Sequence, residues 1–283
     1  MPENERILLD GSSFETVLTS FSQLWNVTPE RLISEIKNLD LYELRTSSEV
    51  IRGVKNSLNI ESEAHFDGML WFHNTRVPSD TSFEEGIIPT HLLLEKIWSF
   101  IEQQSKGILN ADYLTSLRSF LEKHDTKYKN KMRSSGPFAL NLRELAFRSD
   151  EVHNHDYFST VEIFDDILHP LWDKENDKRI ILLQRIKEAT FPCIVTFVNS
   201  YVNKHHVACA LFYIKLKIEE DVLSNICNIC FDGNGQKVLP EFIISIEFVE
   251  YEPTLKKRIV HEDIDEEEGD TFTITGLDEF NVE

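Results

Sequence analysis

Glycine and proline are scarce in this chain. Its 283 residues hold only 10 Gly and 9 Pro, well under the roughly 7% and 5% of average sequences, which excludes fibrous and low-complexity architectures. Positive charge is also short: 29 Lys+Arg stand against 49 Asp+Glu, a formal net charge of −20. Such a chain repels phosphate backbones, so direct binding of duplex nucleic acid is not expected. The four cysteines, Cys193, Cys209, Cys227 and Cys230, all fall in the last third, which suggests thiols rather than a disulfide framework. No apolar run approaches the ~20 residues of a membrane-crossing helix. The N-terminal MPENERILLDG lacks the basic and apolar regions of a signal peptide. The expectation is a cytoplasmic protein without membrane contact. The phosphate cradles GxGxxG and GxxxxGKS/T are missing, and so is the GxSxG nucleophile elbow.

What is present is apolar and aromatic. Hydrophobic residues make up 41% of the chain, with 19 Phe, 7 Tyr and 4 Trp, enough to offset the entropy of folding. Residues 1–62 read as a helical unit. Phe14, Val17, Leu18, Phe21, Leu24 and Trp25 recur at three- and four-residue spacing. Thr28 and Pro29 then open a helix carrying Leu32, Ile33 and Ile36. Val50, Ile51, Val54 and Leu58 suggest a third.

Residues 63–260 read as an α+β main domain, with helices first and a mainly antiparallel sheet last. Met69 to Phe72 predict a strand behind the turn pair Asp67-Gly68. Two helices are expected next, one capped by Thr90 and one by Asn110. FPCIVTFV, HVACALFYIKLKI and LPEFIISIEFVEY are β-branched and aromatic, and all three read as strands. In the second, Cys209, Leu211 and Tyr213 alternate with Ala210, Phe212 and Ile214. Asp232 to Gly235 predict a turn between strands. KYKNKMR at 127–133 is locally basic, and residues 261–283 form an acidic tail with an edge strand at TFTITGL.

The chemistry concentrates in WFHNTRVPSDTSFEEGIIP, residues 71–89. A strand delivers His73, Thr75 and Arg76, a loop and a short helix with Phe83 follow, and Gly86-Ile87-Ile88-Pro89 closes the unit. This segment resembles the first motif of the ADP-ribosyltransferase superfamily. The resemblance implies NAD as cofactor. It implies that His73 bonds the adenosine ribose and that the backbone at Asn74 meets the nicotinamide amide. Thr75 and Arg76 then support the loop or meet phosphate, for which a guanidinium fork is suited. The position after the His is commonly Gly in that family and is Asn74 here. The family also needs a carboxylate to orient the acceptor and stabilise the positive charge that grows on the ribosyl carbon. Glu162, in FSTVEIFDD behind the helix-capping Thr160, and Glu247, on the strand ISIEFVEY, are the two candidates. Tyr157 is a candidate for stacking on the nicotinamide.

The remaining polar clusters read as structure. His153, His155 and Asp156 suit a polar surface loop, and no metal site is expected there. Cys227 and Cys230 form a lone CxxC with no second pair. Two function classes therefore stand side by side. One is an ADP-ribosyltransferase-like enzyme that modifies a macromolecule, of the toxin or phage-defence effector kind. The other is a non-enzymatic acidic inhibitor of the virus-encoded anti-defence type. It would dock on a basic, nucleic-acid-binding protein complex and block it, with an on-rate that falls as salt rises. Either class leaves room for a homo-oligomer.

Overall fold

A computed structural model describes residues 6–124, 136–172 and 175–251. The basic segment 127–133, the acidic stretch 262–270 and the expected strand at 271–277 lie outside the described residues. The fold is α+β: N-terminal helices are followed by a mixed domain with a mainly antiparallel sheet.

Three capped helices open the chain: α1 (Phe14–Trp25), α2 (Pro29–Asn38) and α3 (Ser47–Ser57). Ser13 and Thr16 cap α1 reciprocally, Thr28 caps α2 ahead of Pro29 at the first helical position, and Thr46 forms a capping box with Glu49. Side-chain oxygens thus take the N–H groups that a helix start leaves unpaired. The apolar spacing read from the sequence is the spacing that is buried: Val17, Phe21, Leu32, Ile36, Val50 and Val54 are all fully enclosed.

The sheet runs β5 (Cys230–Asp232), β3 (Phe138–Leu140), β2 (Gly68–Val77), β4 (Phe191–Asn199), β6 (Ile243–Phe248), and β1 (Leu8–Leu9) lies parallel to the start of β2. All other pairings are antiparallel. Successive side chains of a strand face opposite ways. Met69 and Trp71 join Cys193, Val195 and Phe197 in the large core, while Phe72 and Ile194 pack with Ala146 and Phe158 on the other face.

One expected strand is a helix. HVACALFYIKLKI belongs to α8 (Lys204–Ile218), capped by Asn203. Ten of its 15 residues are buried, because α1, α2 and α3 pack on it and its apolar side chains share the core with Met69, Trp71 and Val195. A helix buried all round has no polar stripe, and short apolar runs do not separate helix from strand by period. The distinguishing signals are its length and its Asn cap.

A second cluster lies among α4 (Thr90–Gln104), α5 (Ala111–His124), α6 (Glu162–Leu168) and α7 (Asn176–Glu188), built on Trp98, Ile101, Leu117, Ile167 and Leu182. Asn110 caps α5 through Tyr113 N–H at 2.9 Å. Two local expectations are corrected. Phe83 sits in a turn with φ 54°, not in a short helix. Caps also shift: Pro89 precedes α4, whose first residue is Thr90, and Val161 rather than Thr160 precedes α6. Among the described residues no helix is long and apolar enough to cross a membrane.

Candidate functional site

The sheet opens at β2. Its pairing with β3 is confined to Phe72 opposite Leu140, whereas its pairing with β4 continues to Val77. Residues 73–77 therefore present one strand edge without a β partner. A cavity of about 580 Å³ lies at this edge, inside the 300–1,000 Å³ range usual for small-molecule sites. It lies along an edge rather than a face, and the consecutive residues His73, Asn74, Thr75 and Arg76 all line it. Ile97 and Phe100 of α4, Phe138 of β3 and Ile163 and Phe164 of α6 make much of the wall apolar.

The Gly86-Ile87 step closes one side. Ile87 N–H and C=O bond Val238 at 2.9 and 3.0 Å. Gly86 takes φ +84°, and a Cβ there would stand 2.0 Å from the Val238 carbonyl oxygen. Only glycine allows both the left-handed backbone and this approach.

Where the strands part, His73 Nδ1 lies 2.6 Å from the Phe138 carbonyl oxygen. A carbonyl only accepts, so Nδ1 carries the proton and Nε2 is the acceptor in the neutral ring. Burial lowers the imidazole pKa, outweighing the bond to Phe138, and keeps the ring neutral near pH 7.

Arg76 is committed to the fold. Its Nε donates to Thr190 Oγ1 at 3.1 Å, its Nη2 to the carbonyls of Lys187 at 2.8 Å and Thr190 at 2.7 Å, and its Nη1 to the Phe158 carbonyl. It is 8% exposed. Burial lowers its pKa and Asp156 partly restores it, with no carboxylate in ion-pair contact among the described residues. The guanidinium thus ties β2 to the Phe158 loop and to the α7–β4 junction. All four acceptors lie outside the 71–89 unit whose loop Arg76 was expected to support. Lys96 on α4 is an exposed cation on the same lining.

Tyr157 and Glu162 meet at the opposite wall. Tyr157 Oη donates to Glu162 Oε2 at 3.3 Å, and its ring lies edge-on to His155 at 4.8 Å. Burial, then the nearby Glu162, pushes the phenol well above its usual range, so it stays a donor. Glu162 is the first residue of α6, where the helix dipole favours an acid.

Glu247 sits elsewhere. In register, Asn74 is opposite Ile194 and Ile194 opposite Glu247, so Glu247 shares that face two strands away, about 10 Å by strand spacing. It pairs with Arg143 at 2.7 Å on the surface and does not line the cavity. Six of the seven residues singled out from the sequence line one cavity, and Glu247 does not. Sequence reasoning missed Phe138, Thr190 and the α4 wall. Gly136-Pro137 ahead of Phe138 was the available signal for the first.

No group of three or more His, Cys, Asp or Glu is placed to hold a metal among the described residues. His155 bonds the Thr160 carbonyl at 2.6 Å, and Cys227 donates to the Ser224 carbonyl at 3.1 Å. All four cysteines are free. Neither a protein-family model, a curated protein nor a solved structure matches this chain.

Proposed function

We propose that the protein is an ADP-ribosyltransferase-like enzyme that binds NAD in the cavity at the β2 edge and acts in a reducing, cytoplasmic setting on a macromolecular acceptor. One observation carries the reading: the consecutive residues His73, Asn74 and Thr75 and the later pair Tyr157 and Glu162 line a single cavity of about 580 Å³. The cavity suits a dinucleotide chemically, with apolar walls for flat rings and a few polar groups to orient them.

When bound, NAD supplies an electrophilic ribosyl carbon and a nicotinamide leaving group. The chain's own groups have distinct roles around it. Neutral His73 accepts a ribose hydroxyl at Nε2, its ring held in place by the Phe138 carbonyl. The free edge of β2 offers backbone groups at Asn74 to an amide. Tyr157 presents a ring face or edge and keeps its hydroxyl on Glu162. Glu162 places negative charge where positive charge develops and receives the acceptor's proton. Arg76 holds the wall, and Lys96 is the cation available to phosphate. The alternative inhibitor reading draws on the net charge of −20 and uses none of these cavity residues.

The test is incubation of the full chain with labelled NAD and cell extract, beside His73→Ala and Glu162→Gln. Label transfer or NAD hydrolysis is expected from the wild type, with a loss of at least about 100-fold in Glu162→Gln. No turnover by the wild type, or unchanged turnover in both variants, overturns the proposal.

A further inference from the structure

Several polar side chains of this cavity and its surroundings are already paired. His73 holds the Phe138 carbonyl, Arg76 holds three carbonyls and a hydroxyl, Tyr157 holds Glu162, and His155 holds the Thr160 carbonyl. Asn154 exchanges hydrogen bonds with Asn228 at 3.0 and 3.4 Å. Asn74 differs. It is 7% exposed, its Oδ1 is buried without a partner, and its side chain makes no hydrogen bond among the described residues. Turning the amide over only exchanges which atom is stranded. A second cavity of about 110 Å³ adjoins the first, and the two share Asn74, Phe138 and Tyr157. Asn74 therefore lines both cavities.

A buried amide left unpaired is costly, and native proteins rarely leave one so without a role. Its two polar atoms form an acceptor beside a donor. The complementary ligand edge is a donor beside an acceptor on a planar group. The small cavity admits such a group or a few waters, each with a share of ~30 Å³ in the liquid, and is too small for a nucleoside.

We infer that Asn74 is the specificity-determining residue of the cavity and that it selects a ligand carrying an amide-like edge, an N–H donor adjacent to an acceptor on a flat ring. This deepens the proposed function and rests on its placement of NAD, which offers that edge twice: in the nicotinamide carboxamide and in the amino edge of adenine. Asn is well matched to either, as its bidentate pairing with adenine in nucleic-acid recognition illustrates.

Calorimetry on the full chain with two neutral ligand pairs separates the sources. Nicotinamide is compared with 3-acetylpyridine, and adenosine with purine riboside; the second member of each pair lacks the amino donor. The wild type is expected to prefer the amino-bearing member of one pair by about tenfold, the scale of one buried hydrogen bond, and the preferred pair identifies the source. Asn74→Leu is expected to reduce that preference to within twofold. Asn74→Asp keeps the size and the acceptor that meets the amino donor, and is expected to retain the preference. The wild-type comparison stands even if a variant does not fold. Equal binding within both pairs, binding of none of the four at millimolar concentration, or a preference that survives Asn74→Leu overturns the inference. Discrimination without NAD turnover supports it while removing the enzymatic reading; turnover without discrimination does the reverse.

Discussion

Arg76 gives the sharpest test of how the site is held. Arg76→Ala removes four hydrogen bonds from a charged donor. It strands the carbonyls of Phe158 and Thr190, while the Lys187 carbonyl keeps the backbone N–H of Thr190 at 3.5 Å. Hydrogen bonds to charged groups contribute about 1.5–3 kcal/mol each, and an unsatisfied buried acceptor costs about 1–3 kcal/mol. Water admitted from the adjoining cavity offsets part of this. The net loss expected is about 3–5 kcal/mol. Arg76→Lys keeps the charge but cannot span four acceptors with one ammonium, so it recovers about half. Urea titration measures both: at an m-value of about 3 kcal/mol/M, the midpoint falls by about 1–1.7 M in Arg76→Ala. The opposite outcome is also definite. If Arg76 were an uncompensated charge held ready for phosphate, its removal would relieve a desolvation penalty and stabilise the ligand-free protein. A loss under about 1 kcal/mol, or a gain, refutes the clamp.

Two further outcomes follow from the same geometry. His206 is buried, and burial, then the neighbouring His205, pushes its pKa down to about 4 from an ordinary 6.5. Since the folded pKa lies below the unfolded one, the protonated form favours unfolding. Stability is complete above pH 6.5 and falls as pH drops toward 4. The loss from this residue at pH 4.5 is about 2–3 kcal/mol, so urea midpoints of His206→Gln should vary less with pH than those of the wild type; equal slopes would refute the assignment. Glu247→Ala removes a surface pair with Arg143. It should change stability by under about 1 kcal/mol and leave NAD turnover unaltered, and collapse of turnover would transfer the catalytic role from Glu162.

Much of the fold was legible because local chemistry repeats it. Thr28 ahead of Pro29 announces α2, and the apolar residues of α1, α2 and α3 recur at helical spacing. The run from Gly68 to Val77 and the run FPCIVTFV pair with each other as β2 and β4. Gly86 closes the 71–89 unit in sequence, and the structure adds its close approach to the Val238 backbone. The sequence misled at HVACALFYIKLKI, where burial on every side erased the polar stripe that identifies most helices.

The site divides in the same way. The local run at 71–89, with Tyr157 and Glu162, singled out residues that line the cavity from the residues alone. Three matters were decided only by tertiary structure. Arg76 reads in sequence as a cation ready for an anion, but carbonyls 82 to 114 positions away consume its fork. Glu162 and Glu247 are equal candidates in one dimension; β6 is separated from β2 by β4, so only Glu162 reaches the cavity. Asn74 reads as a mere departure from glycine, and becomes informative once packing leaves its amide buried and unpaired. Caps and apolar periods act over a few residues and are therefore written in sequence. Which long-range hydrogen bonds are made, and which are left open, depends on where distant strands come together.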